Sequence, residues 1–109
     1  MIDFKSIPET ALPHFKDGEG TFFARFAGDT GCKILFGRLP AGSTIGLHAH
    51  EDTAEIIFFL SGTGRMLLDG ETETISAGLC HYCPKGSAHT MINDGDADIT
   101  FYAVVPKQS

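Results

Sequence analysis

The chain has 109 residues, 42% of them apolar, and a formal net charge of -6. That length fits one domain, residues 1–109, with a modest core, and the apolar share excludes a disordered polymer. With an acidic balance and no basic cluster, it carries no footprint for nucleic acid or for an anionic membrane surface.

Residues 1–19 contain Pro8 and Pro13 and run into the polar stretch Asp17-Gly18-Glu19-Gly20. They read as an extended N-terminal arm that covers some other part of the fold. No basic stretch leads into an apolar one, so no secretory signal is expected. Strands follow at Thr21 to Ala27 and Cys32 to Leu39, parted by the turn Gly28-Asp29-Thr30-Gly31. Further strands are expected at Thr44 to His50, Glu55 to Leu60, Arg65 to Leu68 and Thr72 to Ile75. Asp69-Gly70 between the last two is a strong hairpin signal. Leu79 to Cys83, Ala88 to Asn93 and Ile99 to Val105 complete about nine strands. Nine short strands with no amphipathic helix predict an all-β sandwich or barrel. The two halves share a loose echo of glycine, strand, histidine, bend and apolar strand.

Chemistry concentrates in Gly42 to Gly62. His48 and His50 are two apart, so an extended strand points both imidazoles to one face. An unbroken strand would put Glu55 on the other face. The polar stretch Glu51-Asp52-Thr53-Ala54 reads as a bend that turns Glu55 back. Imidazole and carboxylate are ligands for zinc and first-row transition metals, so this stretch makes a partial site that needs a fourth donor. In Gly78 to Asn93, Pro84 stops ladder pairing and Gly86 allows a tight turn. The turn delivers His89 at the start of a new strand.

Together the two stretches resemble the two motifs of the cupin family. Gly42, five residues, His48-x-His50, four residues, Glu55, six residues and Gly62 match the first. Gly78, five residues, Pro84-x-Gly86, two residues, His89, three residues and Asn93 match the second, after a spacer of fifteen residues. The resemblance covers residues 42–93, with motif 1 at 42–62 and motif 2 at 78–93. It implies a double-stranded β-helix, or jelly-roll barrel. It also implies one divalent transition metal ion (Mn, Fe, Co, Ni, Cu or Zn) held by His48, His50, Glu55 and His89, with Asn93 structural. Metal-bearing cupins include dioxygenases, decarboxylases, lyases and sugar isomerases, so the reading is metal-dependent chemistry on a small organic metabolite. The alternative is a non-catalytic small-molecule binder or sensor.

Other residues bear on this reading. Ile57 and Phe59 share the parity of Glu55, and Met91 that of His89, so these three are expected to line an apolar substrate pocket. Cys80 and Cys83 form a C-x-x-C on a strand, where the thiols point to opposite faces and do not make a redox pair. Either Cys80 and Tyr82 or His81 and Cys83 face the cavity. Arg25 and Arg38 read as surface residues, with an anion clamp for a carboxylate as the sharper alternative. His14 is expected to face solvent. Ile56, Phe58 and Leu60 make the fourth strand apolar on its outer face too, which predicts a covered face and a homodimer. Three cysteines are too few for a disulfide framework. Reduced thiols fit the cytoplasm, and no apolar run is long enough to span a bilayer.

Overall fold

The computed structural model of the protein describes residues 1–108. Ten strands form two antiparallel sheets. They are β1 (Thr10–Pro13), β2 (Thr21–Gly28), β3 (Cys32–Leu39), β4 (Thr44–Ala49), β5 (Glu55–Ser61), β6 (Gly64–Leu68), β7 (Glu71–Ile75), β8 (Cys80–Cys83), β9 (Ala88–Ile92) and β10 (Ile99–Pro106). One sheet runs β1-β2-β3-β10-β5-β8 and the other β4-β9-β6-β7. From β3 onward the chain passes repeatedly from one sheet to the other, and a double-sheet jelly roll results. No helix among the described residues is long and apolar enough to cross a membrane.

Period-two alternation fixes which side chains enter. Phe22 and Ala24 of β2, Leu35 and Leu39 of β3, Ile57 and Phe59 of β5, and Ile99, Phe101 and Ala103 of β10 all point between the sheets. Met66, Ile75 and Met91 meet them from the second sheet. Full burial of one such side chain contributes about 1.5–3 kcal/mol. Phe101 is central, stacked on Phe22 at 5.8 Å and edge-on to Phe59 at 6.1 Å.

Asp69 and Gly70 turn β6 into β7, both with positive φ (48° and 86°), as a two-residue hairpin turn requires. Leu68 pairs with Glu71 across it. Asn93 is buried and structural. Its amide donates to the Leu39 and Ala97 carbonyls, at 2.8 Å each, and its side-chain oxygen accepts from Gly95 N–H.

The N-terminal arm is more structured than its composition predicts. Thr10–Pro13 adds a tenth strand on the free edge of β2, with Thr10 opposite Ala24 and Pro13 opposite Thr21. Pro13 is tolerated because β1 is the edge strand. Short 3-10 turns lie at Phe4–Ser6 and Phe15–Asp17. The arm also settles the two arginines. Arg25 donates to the Ile7 and Phe4 carbonyls at 2.6 and 3.3 Å. Arg38 forms a two-pronged ion pair with Glu9 at 2.9 Å and lies over the Phe23 ring. Both guanidinium groups staple the arm to the outside of the sheet. Neither lines the interior cavity, so the anion-clamp alternative is set aside. His14 is exposed, as expected.

Candidate metal centre

Four side chains, carried by three strands and the residue just after β4, converge on one point between the sheets. β4 supplies His48, and His50 follows its last residue. His89 lies on β9, directly opposite His48 in the ladder. Glu55 opens β5 in the facing sheet. The bend at residues 51–54 carries the chain between sheets and is held at several points. Ala54 N–H donates to the Pro106 carbonyl, and Gln108 N–H to that of Asp52. The two motifs are tied directly, because Gly86 N–H donates to His50 O at 2.7 Å and His50 N–H to Ser87 O at 3.0 Å.

His89 Nε2 lies 3.0 Å from His50 Nε2 and 3.2 Å from His48 Nε2. Glu55 Oε1 stands 3.0 Å from His89 Nε2 and 3.2 Å from His50 Nε2. One donor atom from each of the four residues lies within 4.8 Å of all the others. His48 Nδ1 donates to the Gly46 carbonyl at 2.8 Å, so in the neutral ring its Nε2 presents a lone pair. His50 Nδ1 is bonded to Thr53 Oγ1 at 2.8 Å, which turns its Nε2 inward. Three imidazole nitrogens and a carboxylate oxygen this close need either shared protons, as in the His–Glu contacts, or a cation among them, and this donor set fits a metal ion.

The surroundings set the charge states. Burial pushes the Glu55 carboxyl up, but hydrogen bonds and charge from His50 and His89 outweigh it and bring its pKa down to about 2. Glu55 is thus a carboxylate at neutral pH. Burial is also the main reason that the His48 pKa falls below its ordinary value. A neutral imidazole is the form that ligates.

A cavity of about 380 Å³ opens beside the cluster. Ile57 and Met91 line it, with Ile45, Leu35, Met66 and Phe101. Phe59 does not. It lies farther along β5 from Glu55, packed edge-on against Phe101 in the core. The exposed residues Lys16, Lys33, Glu51 and Asp52 form the rim.

The β8 faces are resolved as well. His81 and Cys83 point inward, while Cys80 and Tyr82 are exposed. Burial, with lesser effects from Glu55, Asp69 and Glu73, pushes the Cys83 thiol up to about 11, so it is an inert core group. His81 is buried beside the cluster, with its Nε2 2.9 Å from His89 Nδ1 and its Nδ1 2.5 Å from Glu73 Oε1. The sequence left its face open because β8 is short and alternates two polar-capable pairs.

Residues 35–105 match the family model described as "Cupin domain", and the chain belongs to that family. An oxalate-binding protein of Thermotoga maritima is 40% identical over 73 residues, 65% of this chain and 60% of that protein. A glucose-6-phosphate isomerase of Thermococcus gammatolerans is 41% identical over 64 residues, 54% of this chain and 34% of the isomerase. The chain thus spans less than two thirds of these relatives' lengths. Among solved structures, a predicted oxalate decarboxylase of Thermotoga maritima superposes with a TM-score of 0.92 at 26% identity, covering 98% of both chains. The cupin domain of Cnp3 from Schizosaccharomyces pombe gives 0.79 at 13% identity, covering 99% of this chain and 74% of that one.

Proposed function

We propose that this cupin binds one divalent transition metal ion through His48, His50, Glu55 and His89, and takes a small carboxylate-bearing molecule into the cavity beside it. The observation that carries the reading is the convergence of three imidazole Nε2 atoms and one carboxylate oxygen. Three imidazole nitrogens and one carboxylate oxygen suit a first-row divalent ion and leave positions for a further ligand on a six-coordinate one. When bound, such an ion supplies a Lewis acid to an oxygen donor.

The chain's own residues select the ligand. Ile45, Ile57, Met91 and Phe101 give apolar walls that exclude water and suit a small organic molecule. Lys16 and Lys33 at the rim are matched by Glu51 and Asp52, so the pull on an anionic ligand comes from the ion rather than from the rim. Similarity to a protein named for oxalate binding supports a small dicarboxylate. Turnover of that ligand is the second reading, favoured by likeness to a predicted oxalate decarboxylase. Titration calorimetry of manganese-loaded protein with oxalate tests the first, with formate and carbon dioxide assays of the same mixture testing the second. Metal-dependent heat with no product supports the binder, and product supports the enzyme. Neither heat nor product would overturn the carboxylate assignment.

The outer face of β5 supports a homodimer. Phe58 and Leu60 are exposed, beside Tyr82 of β8 and Tyr102 of β10. Phe4 of the arm covers Tyr102 at 5.5 Å but leaves the rest open. A contiguous apolar face suits a second copy related by two-fold symmetry. Three unpaired cysteines fit a reducing compartment such as the cytoplasm.

A further inference from the structure

We infer that His81 and Glu73, which lie outside the ligand set, fix the tautomer of His89 and thereby set the affinity of the metal site. The inference rests on the ligand reading above. Glu73 belongs to β7 and His81 to β8, so the pair bridges the two sheets.

The argument is a count of hydrogens. The Glu73 carboxylate only accepts, so the hydrogen between it and His81 sits on His81 Nδ1. A neutral imidazole carries one N–H, which leaves His81 Nε2 as an acceptor. Its partner at 2.9 Å is His89 Nδ1, which must then donate. His89 Nε2 is left with a lone pair aimed at His48, His50 and Glu55. The two ring planes are only 21° apart with centroids 5.2 Å apart, so the rings meet edge to edge and nearly coplanar, as an in-plane N–H···N bond requires.

A competitor makes this control necessary. Glu55 Oε1 lies 3.0 Å from His89 Nε2 and would accept a hydrogen there. Without His81, the His89 hydrogen moves to Nε2 and blocks the ligating lone pair. His81 also has no other task in view. It does not line the cavity, and a buried imidazole is costly unless bonded. Partners of this kind orient metal-binding histidines and raise their basicity.

The test uses metal-free, 15N-labelled protein at about pH 8, where imidazoles are neutral. Two-bond 1H–15N spectra report the tautomer, and chelator competition with Mn2+ reports affinity. Wild type should show His89 with its hydrogen on Nδ1. His81→Leu should shift that hydrogen to Nε2 and weaken Mn2+ binding about 10- to 100-fold. His81→Gln offers a carbonyl acceptor at similar reach and should restore both readouts to within about threefold of wild type. Glu73→Ala, at a half-exposed position, should weaken binding in the same direction, and Glu73→Gln should rescue it. An unchanged His89 tautomer in both His81→Leu and Glu73→Ala overturns the inference. Failure of wild type to bind any divalent ion would instead contradict the ligand set, and the tautomer spectra would still judge this pair.

Discussion

Ile45 and His48, three residues apart on one strand, both face the barrel interior. Regular alternation would put them on opposite faces. The ladder explains the exception. Ile45 pairs with Met91 and His48 with His89, so one extra residue of β4 is absorbed between them. Such a bulge bends the strand and re-aims the next side chain. Leu47 is ejected to solvent at 68% exposure, and the Gly46 carbonyl is left to accept from His48 Nδ1. The first ligand is therefore aimed by a local irregularity.

Gly46 should be intolerant of substitution. An added Cβ would collide with the Lys16 carbonyl, where the turn after β1 packs on β4. Gly46→Ala should cost about 1–3 kcal/mol by overpacking. A thermal melt should show a fall of about 4–8 °C per kcal/mol. Metal affinity should fall with it, because the His48 anchor shifts. An unchanged midpoint would mean that the turn at Phe15–Asp17 moves freely.

Stability of the metal-free protein should peak between about pH 7 and 9. Burial holds the His48 and His81 pKa values below the ordinary 6.5. The unfolded chain thus takes up protons first as pH falls through 6.5, and stability drops. Glu55, brought from 4.5 to about 2, adds a second loss below pH 4.5. At the alkaline end the Cys83 thiol, raised from 9.0 to about 11, lets the unfolded chain ionise first, so stability falls again above pH 9. Urea midpoints across this range check the shape. A midpoint that holds or rises from pH 7.5 to 5 would contradict it.

The outer face of β5 predicts assembly. Sedimentation should give a dimer at micromolar concentration, and Phe58→Asp should give a folded monomer, because it puts a charge into the apolar face. A variant that stays dimeric would place the interface elsewhere.

Much of this was legible in the chain. Strand positions followed from alternation and turn residues, and most ends moved by only a residue or two. His48, His50 and Glu55 followed from a strand's period and one bend, and His89 from the resemblance of the second stretch to the cupin motif. What escaped notice depended on partners distant in sequence. β1 is a strand because the edge of β2 is free to pair with it. The bulge at Gly46 packs closely against the turn at Lys16. Phe59 has the right parity for the cavity, but parity does not give depth, and Phe101 seals it off. His81 could not be oriented because β8 spans four residues and lies at a sheet edge.

The central claim is the ion itself. Elemental analysis of protein purified without added metal, beside a His48→Ala, His50→Ala double variant, tests it most directly. The account predicts close to one equivalent of a divalent transition metal per wild-type chain, after supplementation if purification strips it, and a residual trace in the variant. Equal metal content in the two proteins would contradict it.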